Sequence, residues 1–314
     1  MNDLSPTVVS KRPLVSVVIT VYNRAHLLKR ALESVLTQTV RDIEVVVVDD
    51  ASSDDPEQVV ADAADPRIRY IRLEQNHGAA GARSRGFAEA RGAYVANLDS
   101  DDEWLPDKLE RQIAVFEASE WDDLGVVYGS VVYVFEDGRE TLARASARGD
   151  IRPELLRRGP VVTGAFNTTL IRRDVVEHIG EQDLSNPCRE DFDYFLRISE
   201  HYRFDYVADP VLRMTKFGTD RISSHGRKRV LALIRVLKQH REAYRSLKGS
   251  RYFADHMMIA KYLAWMGRYR MATRVFLYTA TRIAPPSLRW MFVRDYLVVP
   301  AQIGKAYLRG GEAK

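Results

Sequence analysis

Cysteine is nearly absent from this sequence, in which only Cys188 occurs among 314 residues. A disulfide framework and a zinc site built on cysteines are therefore excluded. The sequence also lacks an uninterrupted apolar run of the roughly 18 residues that a membrane-spanning helix needs. Its first stretch, MNDLSPTVVSKRPLVSVVIT, has dispersed charges and not the layout of a signal peptide. We therefore expect a cytoplasmic protein whose one cysteine packs in the fold.

Acidic residues are scarce in the last part of the chain. Residues 226–314 contain 19 lysines and arginines against 4 acidic residues, a net charge of +15. The other 225 residues contain 28 lysines and arginines against 39 acidic residues, a net charge of −11. Such asymmetry predicts two parts with different partners. Apolar stretches such as MMIAKYLAWM, interleaved with arginine, favour an anionic membrane surface over nucleic acid as the partner of the basic part. A helical subdomain with a solvated basic face is the alternative.

Apolar runs and amphipathic segments alternate through the first third of the chain. Runs rich in β-branched residues predict buried strands, and segments with helical spacing or helix-start signals predict helices between them. The strands are expected at 14–22, 43–50, 68–73 and 93–98, and the helices at 25–39, 52–64 and 78–90. This order predicts a parallel sheet covered by helices, in which ligands bind beyond the carboxyl ends of the strands.

The rest of the chain is less regular until residue 226, from which the pattern is mostly helical. A helix is expected after Pro106, a strand with a turn at 125–140, an arginine-rich irregular stretch at 141–160 and an amphipathic helix at 191–202. Helix breaks are expected at KGS, MGR and APPS. The domain prediction is a flexible lead-in at 1–12, an α/β domain at 13–225 and a basic helical region at 226–314.

Four acidic residues crowd together directly after the fourth predicted strand, in NLDSDDEWLPDKL. Side chains i and i+2 of a strand share a face, so Asp99 and Asp101 are expected to point together toward the ligand edge. Close carboxylates repel unless a cation neutralises them, and Mg²⁺ or Mn²⁺ on a diphosphate prefers such ligands. The alternative is a helix N-cap, and we expect Asp102 and Glu103 to serve the helix that follows.

Polar groups also follow the first two strands. Thr20, Tyr22 and Asn23 offer a hydroxyl, a ring and an amide, which can meet a nucleobase by stacking and hydrogen bonds. Asp49 and Asp50 end the second strand on alternating faces, so at most one faces the ligand. A loop or helix cap is the alternative role for each group.

Two further segments carry charged candidates. NHGAAGARSRG, with Arg83, loosely resembles a phosphate-binding loop but matches neither the P-loop nor the dinucleotide fingerprint. NPCREDFDYFLRI places Glu190 and Asp191 at a helix start, where a carboxylate serves as a general base or as a helix cap.

Taken together and in order, these segments resemble the family 2 glycosyltransferases with the GT-A fold, over roughly residues 13–225. VSVVITVYNR is similar to the family's first strand, and LESVLTQTVRDIEVVVVDDASSDD to its second strand and Asp-Asp-x-Ser loop. NHGAAGARSRGFAEARGAYVANLDSDDEWLPDKL is similar to its Gly/Arg segment and Asp-x-Asp motif, and REDFDYFLRIS to the segment that holds the base. The resemblance implies an α/β GT-A fold, with a Rossmann-like, mostly parallel sheet flanked by helices and followed by a C-terminal helical region.

The resemblance also implies an activity. It is that of an inverting, metal-dependent, hexosyltransferase-type enzyme that uses Mg²⁺ or Mn²⁺. A UDP-, GDP- or dTDP-linked sugar would move to the hydroxyl of a saccharide or lipid-linked acceptor, in cell-surface polysaccharide or glycolipid assembly. Asp191 would be the base, with Glu190 as a secondary candidate, and Asp101 and Asp99 would hold the metal. The donor nucleotide would be bound by Thr20, Tyr22, Asn23, Asp50, Arg83 and Asp99.

The sequence departs from the family pattern at three places. Thr20 stands where the family often has proline, and Ser84 where it often has asparagine. Many members carry a histidine after the base helix, where Lys216 and Phe217 stand here. Lys216 is therefore a secondary candidate for a direct charge contact with the metal–diphosphate group, and His225 a weaker one.

Two other classes of function remain as alternatives. A nucleotidyltransferase would need a glycine-rich loop after the first strand, and TVYNRAHLLKR contains no glycine. A non-catalytic nucleotide-binding module of the same fold would not need the intact Asp99, Asp101 and Asp191.

Overall fold

The computed structural model describes residues 12–186, 188–216, 226–246, 250–265 and 267–279. These residues form two compact units. The first unit contains the described residues up to 151, together with 162–184 and 194–216, and the second contains 152–161, 185–193 and the described residues from 226 onward. The predicted domain boundary after residue 225 stays a prediction.

Nine strands of the described residues form one mixed sheet in the first unit. They are β1 (Val15–Val21), β2 (Ile43–Asp49), β3 (Ile68–Arg72), β4 (Tyr94–Asp99), β5 (Glu103–Trp104), β6 (Leu124–Phe135), β7 (Glu140–Ala143), β8 (Leu170–Arg172) and β9 (Arg203–Lys216). Their order is β3-β2-β1-β4-β8-β6-β9-β5, and β7 pairs with β6. β1 to β4 are mutually parallel, as predicted, whereas β8 runs antiparallel to both β4 and β6.

Helices connect these strands and form most of the second unit. They are α1 (Ala25–Leu36), α2 (Pro56–Ala63), α3 (Gly78–Glu89), α4 (Lys108–Glu117), α5 (Arg152–Arg158), α6 (Arg173–Ile179), α7 (Glu190–Ile198), α8 (Gly226–Gln239), α9 (Arg241–Ser246), α10 (Ser250–Trp265) and α11 (Tyr269–Tyr278). A 3₁₀ turn at Ala165–Thr168 precedes β8. The stretch expected to be irregular, 141–160, thus contains the end of β7 and all of α5.

The core of the first unit explains why these segments fold as they do. All seven residues of β1 and all seven of β2 are buried, as expected for strands covered on both faces. The small residues of α3 allow a close approach to β1. A Cβ added at Gly86 would lie 2.2 Å from Cγ1 of Val18, so a larger residue would push this helix away from the sheet.

The described residues from 226 onward form helices, as predicted. α10 packs against α5, α8 and α11, and Met257, Ala260 and Phe276 form a small buried cluster. The expected break at MGR is confirmed by Gly267 and Arg268, which lie between α10 and α11, whereas Lys248, Gly249 and APPS lie outside the described residues. In the described part of the chain, none of the helices has both the length and the apolarity needed to cross a membrane.

Candidate active site

The carboxyl ends of β1, β2 and β4 meet at one edge of the sheet. Thr20 is opposite Asp99 in the register of β1 and β4, and the backbone N–H of Asp50 donates to the carbonyl of Val21 at 2.9 Å. The structure therefore brings together three of the predicted site residues, Thr20, Asp50 and Asp99.

Three carboxylates form a cluster at this edge. Asp99, Asp101 and Asp102 each have an oxygen within 4.8 Å of an oxygen of the others. β4 ends at Asp99, and the chain then turns so that the N–H of Asp102 donates to the carbonyl of Asp99 at 3.1 Å. The turn, and not the predicted strand alternation, brings Asp101 to Asp99.

The prediction that Asp102 and Glu103 serve the next helix is wrong. That helix, α4, begins at Lys108 and is preceded by Asp107 at the N-cap position. Glu103 lies in β5 and pairs with Arg213 of β9, and Asp102 is buried in the acidic cluster. A strand of two residues is too short to show a periodic pattern, so β5 could not be predicted from the sequence.

Burial raises the pKa of the Asp102 carboxyl well above its usual range, and the charges of Asp99 and Asp101 raise it further. The positive charge of Lys216, at the end of β9, opposes this shift. The structure thus places Lys216 beside the cluster, with its Nζ also 4.5 Å from the ring centroid of Tyr133.

Arginines surround the acidic cluster. Arg24 Nη1 lies 2.5 Å from Asp101 Oδ2, and Arg30 donates to the backbone carbonyl of Asp101 at 2.7 Å. Nη2 of the buried Arg83 lies 3.7 Å from Asp99 Oδ1, and Cζ of the same side chain lies 4.5 Å from the ring centroid of Phe166. These cations offset part of the like-charge repulsion among the carboxylates.

The predicted nucleotide-binding residues differ in exposure. Thr20 is buried, whereas Tyr22 is 48% exposed and presents its ring at the surface. Asn23 Oδ1 accepts from the N–H of Ser53 at 2.8 Å, which ties the end of β1 to the loop after β2. Asp50 accepts from the N–H of His77 at 2.7 Å, and burial raises its pKa.

The predicted base lies in the second unit. Asp191 and Glu190 begin α7 and are half-buried, and Asp191 Oδ1 accepts from the N–H of Phe192 at 2.7 Å. Asp193, the third acid of this segment, is fully buried against Nε2 of His240 at 2.8 Å. The predicted base therefore belongs to a different unit from the acidic cluster. Cys188 is half-buried, and His225 lies outside the described residues.

The chemistry of the acidic cluster fits a hard divalent cation. Its donor atoms are carboxylate oxygens, which Mg²⁺ and Mn²⁺ prefer over nitrogen or sulfur. Mg²⁺ sites that also use substrate phosphates need only one or two protein carboxylates. Asp99, Asp101 and Asp102 could therefore hold such an ion, with Asp102 as the member that the sequence did not identify.

Comparison with known proteins gives the class of this chain. Residues 16–180 match the model of the glycosyl transferase family 2, and the chain belongs to this family. The named family also gives no support to the nucleotidyltransferase alternative.

Particular relatives and solved structures extend this match. The chain is 36% identical over 205 residues to the succinoglycan biosynthesis protein ExoO of Rhizobium meliloti (strain 1021), covering 63% of this chain and 56% of ExoO. It thus spans about half the length of such curated relatives. The S. aureus TarS 1-349 structure with UDP-GlcNAc has a TM-score of 0.62 at 17% identity, covering 94% of this chain and 92% of TarS. The mannosyltransferase PcManGT of Pyrobaculum calidifontis, with GDP-Man and Mn²⁺, has a TM-score of 0.56 at 17% identity, covering 96% and 87%. These structures confirm the predicted GT-A fold.

Proposed function

We propose that this chain is an inverting, metal-dependent glycosyltransferase that moves a sugar from a nucleoside diphosphate to an acceptor hydroxyl. One observation carries the proposal. Asp99, Asp101 and Asp102 converge at the edge where β1, β2 and β4 end, the place where ligands bind to such sheets. Membership of the family and the name of the relative ExoO support a sugar-transfer reaction at this edge.

The proposed reaction is a single displacement. The acceptor oxygen bonds to the anomeric carbon as the bond from that carbon to the diphosphate breaks, which inverts its configuration. Asp191 takes the acceptor proton, with Glu190 as the secondary candidate. A bound Mg²⁺ or Mn²⁺ would stabilise the negative charge that develops on the leaving diphosphate.

The side chains of the sheet edge bind and orient the donor in this proposal. Thr20, Tyr22, Asn23 and Asp50 hold the nucleoside, Tyr22 through its exposed ring. Arg83 and Lys216 contribute positive charge near the phosphates, where the acidic cluster alone would repel them.

The relatives support the class of donor and acceptor that we propose. ExoO is named for succinoglycan biosynthesis, and the two solved structures hold UDP-GlcNAc and GDP-Man. We infer a UDP-, GDP- or dTDP-linked sugar as donor and a saccharide or lipid-linked acceptor in cell-surface polysaccharide or glycolipid assembly.

The basic C-terminal region is proposed to hold the enzyme at the inner face of the cell membrane. Arg270 and Arg274 of α11 are exposed, and the neighbouring Met271 is 52% exposed. Such a face suits an anionic lipid surface. Co-sedimentation with vesicles containing anionic lipid, at low and high salt, tests this, and failure to bind at low salt would remove the membrane from the proposal.

The proposed reaction is tested by thermal shift and by nucleoside diphosphate release. UDP, GDP and dTDP are added with and without Mn²⁺, and one of them is expected to stabilise the chain in a metal-dependent manner. The variant Asp191→Asn serves as the control, because it should keep this stabilisation and lose transfer. If none of the three nucleoside diphosphates stabilised the chain, the proposed donor site would be wrong.

A further inference from the structure

One buried amide joins the carboxylates of the acidic cluster. Asn167 lies in the 3₁₀ turn and is 4% exposed. Its Nδ2 donates to Asp99 Oδ2 at 2.9 Å and to Asp102 Oδ2 at 2.7 Å. Its Oδ1 accepts from Asn97 Nδ2 at 3.1 Å and from the backbone N–H of Asp99 at 3.0 Å. A side-chain amide has two donor hydrogens and two acceptor positions, so all four are used.

This pattern admits only one orientation of the Asn167 amide. Rotating the group by half a turn would place its oxygen against two carboxylates and its NH₂ against the donors of Asn97 and Asp99. Both changes replace hydrogen bonds with repulsion. The chemistry of the neighbours therefore fixes which end of the amide faces Asp99 and Asp102.

The turn that carries this amide is itself firmly held. Trp104 Nε1 donates to the carbonyl of Asn167 at 2.8 Å, and Gln112 Nε2 donates to the carbonyl of Thr168 at 2.7 Å. Gly164, just before the turn, has a φ of 68°, a conformation that favours glycine. On this rigid support, a small movement of the Asn167 amide is unfavourable.

We propose that Asn167 is a positioning residue of the metal–diphosphate site, whose amide sets the carboxylates of Asp99 and Asp102 at a fixed mutual distance and orientation. Each N–H donates to a different carboxylate, so the amide draws together two groups that would otherwise repel. One oxygen of each carboxylate accepts a hydrogen bond from the amide, and this contact also orients the second oxygen of that carboxylate. The site is thereby arranged for the cation before the donor binds. This inference rests on the function proposed above.

The experiment compares Asn167→Leu with Gln38→Ala. Leucine is close to asparagine in shape but has no donors, so it removes the hydrogen bonds and largely preserves the packing. Gln38 is also a buried amide, with bonds to backbone groups of Ser34, Leu105 and Leu109, and none of these residues belongs to the cluster. Both variants should lose stability, but only the change at Asn167 should alter the response to metal.

The readout is the affinity for Mn²⁺, measured by electron paramagnetic resonance of the free ion on the full chain. It is taken with Mn²⁺ alone and with the nucleoside diphosphate that stabilises the unmodified chain. We expect Asn167→Leu to weaken Mn²⁺ binding about 10- to 100-fold, as for other groups that orient metal ligands. Gln38→Ala is expected to bind Mn²⁺ as the unmodified chain does, at a reduced Tm.

Asn167→Ser provides a second measurement if the leucine variant does not fold. Its hydroxyl can donate to only one carboxylate, so an intermediate loss of Mn²⁺ affinity is expected. Unchanged affinity in a folded Asn167 variant would overturn the positioning role while leaving the proposed function intact. If the unmodified chain itself binds no Mn²⁺ with any nucleoside diphosphate, the proposed function is wrong, and the positioning role that rests on it is wrong as well.

Discussion

The second and fourth strands both end in clustered aspartates, but their carboxylates have different surroundings. Asp49 is fully buried and accepts from the N–H of Ser52 at 2.8 Å, from the hydroxyl of Tyr70 at 2.6 Å and from Arg72 at 3.1 Å. At the end of β4, by contrast, the carboxylates of Asp99, Asp101 and Asp102 face one another.

This difference separates a structural role for Asp49 from the ligand-binding role that we propose for the acidic cluster. The donors around Asp49 come from β3 and the loop after β2, so its charge stabilises that loop. In the acidic cluster, neighbouring carboxylates raise each other's energy, and the cation that we propose there would lower it. A sequence pattern of adjacent aspartates does not distinguish these cases, because the distinction lies in residues distant in sequence.

The largest effect is expected for Asp101→Asn. Metal-assisted charge stabilisation amounts to several kcal/mol, so nucleoside diphosphate release should fall about 100-fold or more. The Tm without metal should stay unchanged or rise, since one charge leaves a repulsive cluster. Release assays and thermal melts of the same preparation test this, and turnover at the rate of the unmodified chain would contradict the role of the cluster.

Asp49→Ala should instead lower the stability of the fold and leave Mn²⁺ binding largely unchanged. It leaves the N–H of Ser52, the hydroxyl of Tyr70 and Arg72 without their shared acceptor. A loss of about 2 kcal/mol or more in the free energy of unfolding is expected from unsatisfied buried groups. Urea denaturation measures it. If Asp49→Ala instead weakened Mn²⁺ binding strongly and left the free energy of unfolding unchanged, the distinction between the two strand ends would be wrong.

Arg24→Gln should produce a smaller change. Arg24 contacts Asp101 Oδ2, an oxygen that a metal ion would also use, so arginine and ion compete for it. The side chains of this pair are 39% and 32% exposed, and such pairs contribute little. We expect Mn²⁺ alone to bind about 2- to 5-fold more tightly to the variant. A weaker affinity for Mn²⁺ alone would show that Arg24 supports the ion site instead of competing for it.

The smallest effect is expected in the pH dependence of Asp50→Asn. Burial raises the pKa of Asp50 above 3.8, so the folded chain binds this proton more tightly than the unfolded chain does. Protonated Asp50 therefore stabilises the folded chain below pH 3.8, and this stabilisation is lost as the pH rises through the raised pKa. The free energy of unfolding of the unmodified chain should fall relative to that of the variant across this window. Urea melts at several pH values measure the difference, and parallel curves would contradict it.

Much of the fold was predictable because burial leaves a local pattern. β2 was expected at 43–50 and runs over Ile43–Asp49, and β4 was expected at 93–98 and runs over Tyr94–Asp99. Strands covered on both faces show as continuous apolar runs, which need no knowledge of distant partners. β8, of three residues, and β5, of two, were not predicted, because pairing across the sheet and not local pattern defines them.

The candidate site was predictable only in part, for the same reason. Adjacent carboxylates at a strand end pointed to Asp99 and Asp101, but Asp102 was assigned to a helix that begins six residues later, at Lys108. Asn167 lies 65 residues from Asp102 in sequence, in a segment without a recognisable motif. An amide directly after the apolar residues Ala165 and Phe166 is the only local signal that could have identified it.

By itself, the sequence determined the parallel α/β core, the helical C-terminal region and the strand edge at which the acidic residues gather. Hydrophobic periodicity and strand ends encode these locally. Only the tertiary structure decided which carboxylates are neutralised by their neighbours and which face one another. That decision depends on Tyr70, Arg72 and Asn167, whose distances from the aspartates are set by packing across the sheet. Electrostatic interactions act over a few ångströms in space, irrespective of separation along the chain.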